Sequence, residues 1–257
     1  MYAFHAPDGT PIPAVTAAAM REIDRIAVEE TGPELLQMME NAGRALARTL
    51  LSEVAEPERA RILIMAGTGG NGGGGICAAR HLAPRVRCVE LVLTDPERLS
   101  ATARSQLRTF RHTSGVAVDL EALLRRNRPG IPGGRPEPPG DGYDAVGDAV
   151  LGYSVRGAPR GAAADAVAWL ADAAAPVISL DLPSGLDPDT GATPGPVPRP
   201  RVTVTLHLPK PGLANPVAGR VVLADLGIPD AATRRAGFEP PRFGRGFLLP
   251  LTRAGGR

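Results

Sequence analysis

The feature that most constrains how this chain can fold is the run at residues 67–75, GTGGNGGGG, which has seven glycines in nine positions. It follows the apolar run Arg61–Ala66 and precedes an Ala-rich segment, residues 76–82, that is predicted to be helical. Glycine has no Cβ atom, so its backbone can adopt positive φ and approach a ligand closely. The N-terminus of the following helix presents N–H groups to an anion. The run therefore predicts a phosphate or pyrophosphate cradle in preference to a flexible loop.

Short apolar runs alternate with helical patterns along the rest of the chain. Two helices are predicted first, at residues 16–30 and 34–54, from apolar side chains at helical spacing. Strands are predicted at 61–66, 86–93, 116–118, 143–150, 177–180, 202–206 and 220–224, with helices at 76–82, 101–110, 119–126 and 162–173. This alternation predicts an α/β fold, a Rossmann-like three-layer αβα sandwich with a mostly parallel sheet. Ligands of such sheets bind outside the carboxyl ends of the strands.

The chain of 257 residues is predicted to form one domain rather than two. We place that domain at residues 15–229, after an N-terminal tail at 1–14. Residues 129–142 are rich in Pro and Gly and predict a flexible insertion within it. Residues 230–257 show no clear periodicity and predict an irregular C-terminal tail.

Composition excludes several classes of protein. A net charge of +2 gives no signature of nucleic-acid binding. No apolar run is long enough to span a bilayer and no signal peptide is evident, so we expect a cytoplasmic protein without membrane association. Cys77 and Cys88 have no metal-ligand spacing and a disulfide is not expected. The four scattered histidines suggest no zinc site.

Two polar clusters follow predicted strands at the edge where the glycine run lies. Asp148 stands inside an apolar strand, where a charge is costly unless it meets a cation or several donors, although a loop-fixing or helix-capping role is about equally plausible. The segment after it contains Arg156, which can pair with a phosphate or be a solvated loop residue. The second cluster contains Asp181 and Ser184 in a tight Pro-Ser-Gly turn.

The residue types at this edge favour oxygen-based recognition. Ser184 is not in a nucleophile elbow, because Leu182 stands two residues before it, and no histidine is placed as its partner. Asn71, Asp148 and Ser184, with Asp181, form an all-oxygen set that suits a hard cation or hydroxyl recognition. A conventional dehydrogenase is disfavoured, since no acidic residue closes the predicted strand 86–93 and the G-x-G-x-x-G match is nearly automatic in so glycine-rich a run.

Taken together, the motifs resemble those of the NAD(P)H-hydrate epimerase family, also described as the YjeF N-terminal domain, from Val15 to about Pro229. Met38-Met-Glu-Asn-Ala-Gly43 is similar to the family's M-E-N-A-G, and GTGGNGGGG to its G-P-G-N-N-G-G-D-G loop. The segment 148–158 resembles D-A-x-x-G-x-x-x-x-G, and the segment 181–187 resembles D-x-P-S-G-x-D. Residues 208–212 and 224–229 resemble its closing pattern.

The resemblance implies an isomerase that interconverts the R and S epimers of hydrated NADH or NADPH (NADHX and NADPHX), working with a separate ADP- or ATP-dependent dehydratase and forming a homodimer. It implies one K⁺ per subunit, bound by Asn71, Asp148 and Ser184. Asp181 is the expected catalytic group. The substrate-binding residues that it implies are Gly70, Asn71, Gly72, Gly73, Gly74, Gly152, Tyr153, Ser154, Val155, Arg156, Gly157, Ala158 and Asp181.

The glycine run departs from the family pattern at two positions, because Gly70 and Gly74 stand where the family has Asn and Asp. Loss of a carboxamide and a carboxylate favours an alternative, a non-catalytic nucleotide-binding or scaffold module of the same fold. The retained Asp148, Asp181 and Ser184 favour an active enzyme.

Overall fold

The computed structural model describes residues 4–126, 142–154 and 156–254. The helices are α1 (Ala17–Ile26), α2 (Leu35–Ser52), α3 (Gly70–Leu82), α4 (Ala101–Phe110), α5 (Leu120–Arg126), α6 (Ala162–Ala171) and α7 (Asp230–Arg235). The strands are β1 (Phe4–His5), β2 (Pro11–Ile12), β3 (Arg61–Ala66), β4 (Cys88–Leu93), β5 (Val116–Val118), β6 (Ala145–Ala149), β7 (Val177–Leu180), β8 (Val202–Leu206), β9 (Arg220–Ala224) and β10 (Leu248–Arg253). All seven predicted strands are present, as β3 to β9.

The strands form one sheet in the order β2-β1-β10-β9-β8-β7-β6-β3-β4-β5. The strands from β3 to β9 pair in parallel, whereas β10, β1 and β2 add antiparallel pairs at one end. The strand order reverses between β3 and β6, and the carboxyl ends of the parallel strands meet at one edge. In open α/β sheets a ligand crevice forms at such a switch point.

Alternation of side chains along β3 shows the layers of the fold. Ile62 and Ile64 belong to an apolar core shared with α2, α3 and α4. Leu63 and Met65 point to the opposite face and pack with residues of α5 and α6. The sheet therefore lies between two helical layers, which confirms the predicted αβα architecture. Among the described residues, no helix has the length and apolar character needed to cross a membrane.

Both predicted tails differ from the structure. Phe4 lies in β1 and is fully buried, so the region predicted as an N-terminal tail contributes to the sheet. Residues predicted as an irregular C-terminal tail form α7 and β10, and Leu251 of β10 is buried. Pro250 weakens the strand pattern of β10, which is why periodicity did not predict it. Most of the predicted insertion at 129–142 lies outside the described residues.

Helix α3 begins at Gly70, six residues before its predicted start, so most of the glycine run is helical. Glycine disfavours helices by about 1 kcal/mol per residue relative to alanine. Packing overrides this preference, because a Cβ atom on Gly73 would lie 2.5 Å from Met39 Sδ and one on Gly75 would lie 2.5 Å from Ala149 Cβ. No residue from 67 to 75 has positive φ. These glycines therefore serve close packing rather than an unusual backbone conformation.

Helix α2 packs against α3 through the motif that resembles M-E-N-A-G. A Cβ atom on Gly43 would lie 2.5 Å from Cys77 Sγ, so only glycine allows this approach. Glu40 accepts a hydrogen bond from Arg80 and pairs with His81 Nε2 at 2.6 Å. Burial, with the nearby Glu40 carboxylate, raises the pKa of Cys77 to about 12, so its thiol stays protonated. Cys77 and His81, one turn apart on α3, therefore meet Glu40 of α2 in one cluster that joins the two helices.

Candidate active site

A cavity of about 510 Å³ opens at the carboxyl edge of the sheet. Its wall is formed by the segments that follow four neighbouring strands: residues 67–71 after β3, Thr94, Asp95 and Arg98 after β4, residues 150–154 after β6, and Asp181 after β7. Helices α1 and α2 cover it with Asp24, Met38 and Met39, among others. The cavity lies where the strand order predicts a ligand crevice.

The first turn of α3 opens into this cavity. Gly69 and Gly70 are exposed, and a Cβ atom on either would meet nothing within 4 Å. Gly67 and Gly72 are different, because their Cβ atoms would lie 2.0 Å from Val150 O and 1.8 Å from Gly67 O. The turn is therefore tightly packed on its inner side and open on its outer side. The first N–H groups of α3, which lack helical partners, are available to an anion there.

Two arginines add positive charge to the wall of the cavity. Arg98 and Arg160 are exposed, and neither guanidinium contacts a carboxylate within the described part of the chain. The Asp95 carboxylate near Arg98 accepts hydrogen bonds from the backbone N–H groups of Glu97 and Arg98, so it is already engaged. Ser100 N donates to Thr68 O at 2.8 Å and ties this loop to the glycine turn. This side of the cavity is thus suited to phosphate groups.

Asp181 is at the other side of the cavity, in a buried ion pair. Its Oδ1 atom lies 2.6 Å from Nζ of Lys210, and both side chains are almost completely inaccessible to solvent. Its Oδ2 atom accepts a hydrogen bond from Tyr153 N at 2.8 Å. The Lys210 ammonium also lies 5.3 Å from the centre of the Tyr153 ring. Lys210 is the only lysine in the sequence.

Backbone strain fixes the position of Asp181. It has φ of 66°, in the left-handed region that non-glycine residues rarely adopt. Leu182 N donates to Leu180 O at 2.8 Å, so Asp181 is the central residue of a γ-turn of the strained type. His207 repeats this arrangement directly after β8, with φ of 58° and a hydrogen bond from Leu208 N to Leu206 O. Such residues cost about 1–3 kcal/mol each and are found mostly at functional sites.

Beneath the cavity, Asp148 is fully buried and accepts four hydrogen bonds. Ser179 Oγ and Ser184 Oγ donate to it at 2.7 Å and 2.5 Å, and the backbone N–H groups of Ser184 and Val150 complete the set. Burial raises the pKa of Asp148, and these hydrogen bonds oppose the shift. No lysine or arginine pairs with this carboxylate among the described residues.

Asn71 and Ser184 converge on the backbone of Leu151. Asn71 Nδ2 donates to Leu151 O at 3.0 Å, and Leu151 N donates to Ser184 Oγ at 2.8 Å. The Oδ1 atom of Asn71 is buried and has no hydrogen-bond donor within the described ranges. An orphaned carboxamide oxygen beside a buried carboxylate and a hydroxyl fits a hard monovalent cation, since such ions take oxygen ligands.

The structure separates the predicted substrate-binding residues into groups. Those that line the cavity are Gly70, Asn71, Gly152, Tyr153, Ser154 and Asp181. Those that are buried in the packing of α3 are Gly72, Gly73 and Gly74, although the Gly72 N–H still belongs to the first turn. Those that are exposed but do not line the cavity are Arg156, Gly157 and Ala158. Val155 lies outside the described residues.

Two of these positions differ from expectation for clear physical reasons. Arg156 forms an exposed ion pair with Asp189 at 3.5 Å instead of pointing into the cavity. A Cβ atom on Gly74 would lie 2.7 Å from Leu180 Cδ2, so this position faces the core beneath Asp181. Gly74 itself does not line the cavity, although the two side chains nearest to its Cβ position, those of Leu180 and Ala42, do.

Pattern analysis of the sequence did not identify Lys210, Asp24, Arg98 or Arg160 as site residues. Lys210 carried a signal, since it is the single lysine and stands in a Pro-Lys-Pro-Gly segment. Asp24 belongs to the amphipathic helix α1, where the sequence pattern predicts that an acidic side chain is exposed to solvent. The arginines are 2 of 29 basic residues, and only the cavity distinguishes them.

Comparison with known proteins places the chain among its relatives. The family model described as YjeF-related protein N-terminus matches residues 35–212. A protein named NAD(P)H-hydrate epimerase from Dehalogenimonas lykanthroporepellens is 45% identical over 253 residues, with 97% of each chain covered. The bifunctional NAD(P)H-hydrate repair enzyme Nnr from Hyperthermus butylicus is 38% identical over 222 residues, which are 85% of this chain and 39% of that one.

The fold is also known from a solved structure. The crystal structure of yeast ynu0 superposes with a TM-score of 0.76 at 22% identity, and covers 93% of this chain and 100% of that chain. This likeness supports the αβα architecture. The family match extends over more than half of the sequence, and the 45% identical relative is matched along nearly its whole length. The chain therefore belongs to the YjeF-related protein N-terminus family.

Proposed function

We propose that this protein is an NAD(P)H-hydrate epimerase, an isomerase that interconverts the R and S epimers of hydrated NADH and NADPH. The names of its relatives support this activity. The structural observation that carries it is the two-sided cavity, with the first turn of α3 and Arg98 on the side of β3 and β4, and Asp181 after β7. Strands β4 and β7 are three interstrand spacings apart, or about 14 Å at about 4.8 Å each. That separation suits a dinucleotide with its pyrophosphate at one side and its nicotinamide ring at the other.

The chemistry needs an acid–base group beside the hydrated ring. The reacting carbon bears a hydroxyl and a ring nitrogen, so protonation of the hydroxyl releases water and leaves a nitrogen-stabilised iminium. Water then adds to either face and loses a proton. We assign Asp181 to this ring, where its carboxylate stabilises the iminium and accepts the proton of the returning water. Acid–base catalysis of this kind contributes about 10²–10⁴-fold.

Lys210 and the strained turn position the Asp181 carboxylate for this role. The ammonium occupies Oδ1 and the Tyr153 N–H occupies Oδ2, so the carboxylate cannot rotate freely. Preorganised groups of this kind need no rearrangement when charge develops on the substrate.

We further propose that one K⁺ per subunit is held by Asn71, Asp148 and Ser184. The orphaned Oδ1 of Asn71, and a buried Asp148 side chain that no lysine or arginine contacts within the described residues, support this assignment. The cation would neutralise Asp148 and order the backbone at Leu151, which leads into the cavity. K⁺ should therefore raise the thermal unfolding temperature more than Li⁺ at equal ionic strength. Asn71→Leu should remove this difference, and an unchanged difference contradicts the assignment.

The alternative of a non-catalytic module has less support. It depends on the missing side chains at Gly70 and Gly74, and Gly74 is buried against Leu180 and does not itself line the cavity. Gly70 lies on the cavity wall and contributes a backbone N–H there, as any residue except proline would. The acidic side chains of Asp24 and Asp181 line the cavity, and Lys210 pairs with Asp181 behind it.

Partners and location remain part of the proposal. Relatives named bifunctional NAD(P)H-hydrate repair enzymes support a coupled repair activity, and we propose that a separate ADP- or ATP-dependent dehydratase consumes the S epimer here. We also propose a homodimer through the exposed apolar side chains of Val28, Leu35 and Leu36, near the turn between α1 and α2. Sedimentation of the protein and of Leu36→Glu tests this interface. A cytoplasmic location stays a prediction.

A coupled assay tests the epimerase activity directly. Purified protein is mixed with R-NADHX, ATP and an S-specific dehydratase, and the recovery of NADH absorbance is followed. We expect recovery well above the spontaneous rate, and a loss of about 10²-fold or more in Asp181→Asn. A wild-type rate equal to the spontaneous rate, with and without K⁺, contradicts the proposed function. An unaffected Asp181→Asn variant contradicts only the role of Asp181.

A further inference from the structure

Helix α1 contributes a second carboxylate to the cavity. Asp24 lies on the cavity wall and is half-buried, although its neighbours Glu22 and Arg25 are exposed. Its Oδ2 atom accepts a hydrogen bond from the Tyr153 hydroxyl at 2.5 Å. Its Oδ1 atom accepts no hydrogen bond within the described part of the chain. One carboxyl oxygen is thus held in place while the other remains available.

Tyr153 connects Asp24 with Asp181. Its hydroxyl contacts Asp24, its backbone N–H contacts Asp181 Oδ2, and its ring lies over the Lys210 ammonium. The two carboxyl groups therefore flank one residue but have different surroundings. Asp181 has a buried cation bonded to it at 2.6 Å, whereas Asp24 has no basic side chain within ion-pair distance among the described residues. Two acids in unlike environments are the usual arrangement of a general acid with a general base.

We propose that Asp24 is a second catalytic group, the general acid that protonates the departing hydroxyl, while Asp181 acts as the carboxylate. This assignment rests on the epimerase function proposed above. Protonated Asp24 gives its proton to the hydroxyl oxygen, the C–O bond breaks, and water leaves with both bonding electrons. The products are an iminium and an Asp24 carboxylate. When water adds back, the new C–O bond forms and one proton returns to Asp24, directly or through Asp181, so the cycle is balanced.

The surroundings of Asp24 favour its protonated form. Burial raises the pKa of Asp24, and the negative charge of Asp181 adds to this effect. The Tyr153 hydroxyl and the more distant Lys210 ammonium oppose it. Burial and the Asp24 charge also raise the pKa of Tyr153 far above its ordinary value, so the phenol remains a donor at any working pH. Arg25 on the outer face of α1 is engaged with Glu22 and two other glutamates.

The pH dependence of the rate separates a catalytic role from a structural one. An essential acid makes the rate fall as pH rises through its pKa. Asp24→Asn keeps a side-chain oxygen for the Tyr153 hydroxyl but has no acidic proton. We expect its kcat to drop about 100-fold, with KM changed less than about threefold and the alkaline decline lost. Glu22→Gln, on the exposed face of the same helix, is the matched control and should behave like wild type.

Tyr153→Phe gives an independent test that keeps both Asp24 and the backbone contact to Asp181. Removal of the hydroxyl withdraws a hydrogen bond that stabilises the Asp24 carboxylate, so the alkaline decline should move to higher pH. A carboxylic-acid C=O stretching band at neutral pH should be present in wild type and absent from Asp24→Asn in infrared difference spectra, and this reading does not depend on activity.

The outcomes distinguish this proposal from the one on which it rests. If wild type accelerates epimerisation but Asp24→Asn matches it in kcat and pH profile, Asp24 is not the acid and the epimerase function stands. An alkaline limb that does not move in Tyr153→Phe, or a missing carboxylic-acid band, also overturns the role of Asp24 alone. A wild-type protein without activity overturns both proposals.

Discussion

The buried ion pair between Asp181 and Lys210 predicts a large loss of stability on Lys210→Met. The two side chains are 0% and 3% exposed, and their charged atoms are 2.6 Å apart. Methionine has a similar length and no charge, so the substitution leaves the Asp181 carboxylate buried without a cation. Breaking a buried pair in this way costs about 3–5 kcal/mol of unfolding free energy. For a chain of this size that corresponds to a fall in Tm of about 6–20 °C.

Urea denaturation followed by circular dichroism measures this loss, with calorimetry as a check on Tm. Arg234→Met is the matched control, because Arg234 forms an exposed ion pair with Asp230 and should lose at most about 1 kcal/mol. The double variant Lys210→Met/Asp181→Leu should recover part of the loss, since no charge then remains buried. A loss below about 1 kcal/mol in Lys210→Met refutes the reasoning, because it means that Asp181 does not need its partner.

Three further predictions concern the buried His207, the packing of the glycine run and the charge of Arg98. Burial lowers the pKa of His207 from 6.5 to about 3, so between these values the unfolded chain binds a proton that the folded protein does not. The free energy of unfolding should fall as pH drops from 6.5 towards 3, and should not depend on this group above pH 6.5. His207→Asn, which suits the left-handed backbone, should reduce the difference in unfolding free energy between urea titrations at pH 7 and pH 4.5, and an unchanged difference contradicts the prediction. Gly74→Asp should lower the unfolding free energy by about 1–3 kcal/mol because it forces a carboxylate against Leu180. Gly70→Asn, at an open position, should change it by less than about 1 kcal/mol, and equal effects of the two variants on thermal melting contradict this packing. Arg98→Leu should weaken binding of ADP-ribose in calorimetry by about tenfold and leave stability unchanged, and equal affinity removes Arg98 from the phosphate side.

Periodicity in the sequence was sufficient to predict the parallel core of the fold. The strands β3 to β9 are short apolar runs, and their alternation with helices allows little besides a parallel sheet. The helical start at Gly70 was not predicted, because propensity argues for a loop and only the contact with Met39 and Ala149 overrides it. Strand β10 was missed because Pro250 interrupts its pattern.

The candidate site was predictable where polar residues follow directly after a predicted strand. Asn71, Asp148, Ser184 and Asp181 stand at strand ends, and the structure brings them to one edge of the sheet. The ion pair of Asp181 joins residues 29 positions apart, and no local pattern reveals such a contact. Asp24 is further still from its partner, since 129 positions separate it from Tyr153. Tertiary contacts alone identify these two groups.

Because its single lysine is buried, the native protein offers almost no accessible amine to amine-reactive reagents. Apart from the N-terminus, Lys210 carries the only primary amine in the sequence, and its side chain is 0% exposed. An amine-reactive reagent can modify it only when the structure around it opens. The rate of that modification, measured by mass spectrometry at one position, therefore reports how often this edge of the sheet opens. A ligand that binds in the cavity and stabilises the closed structure should slow the modification of Lys210 as its occupancy rises.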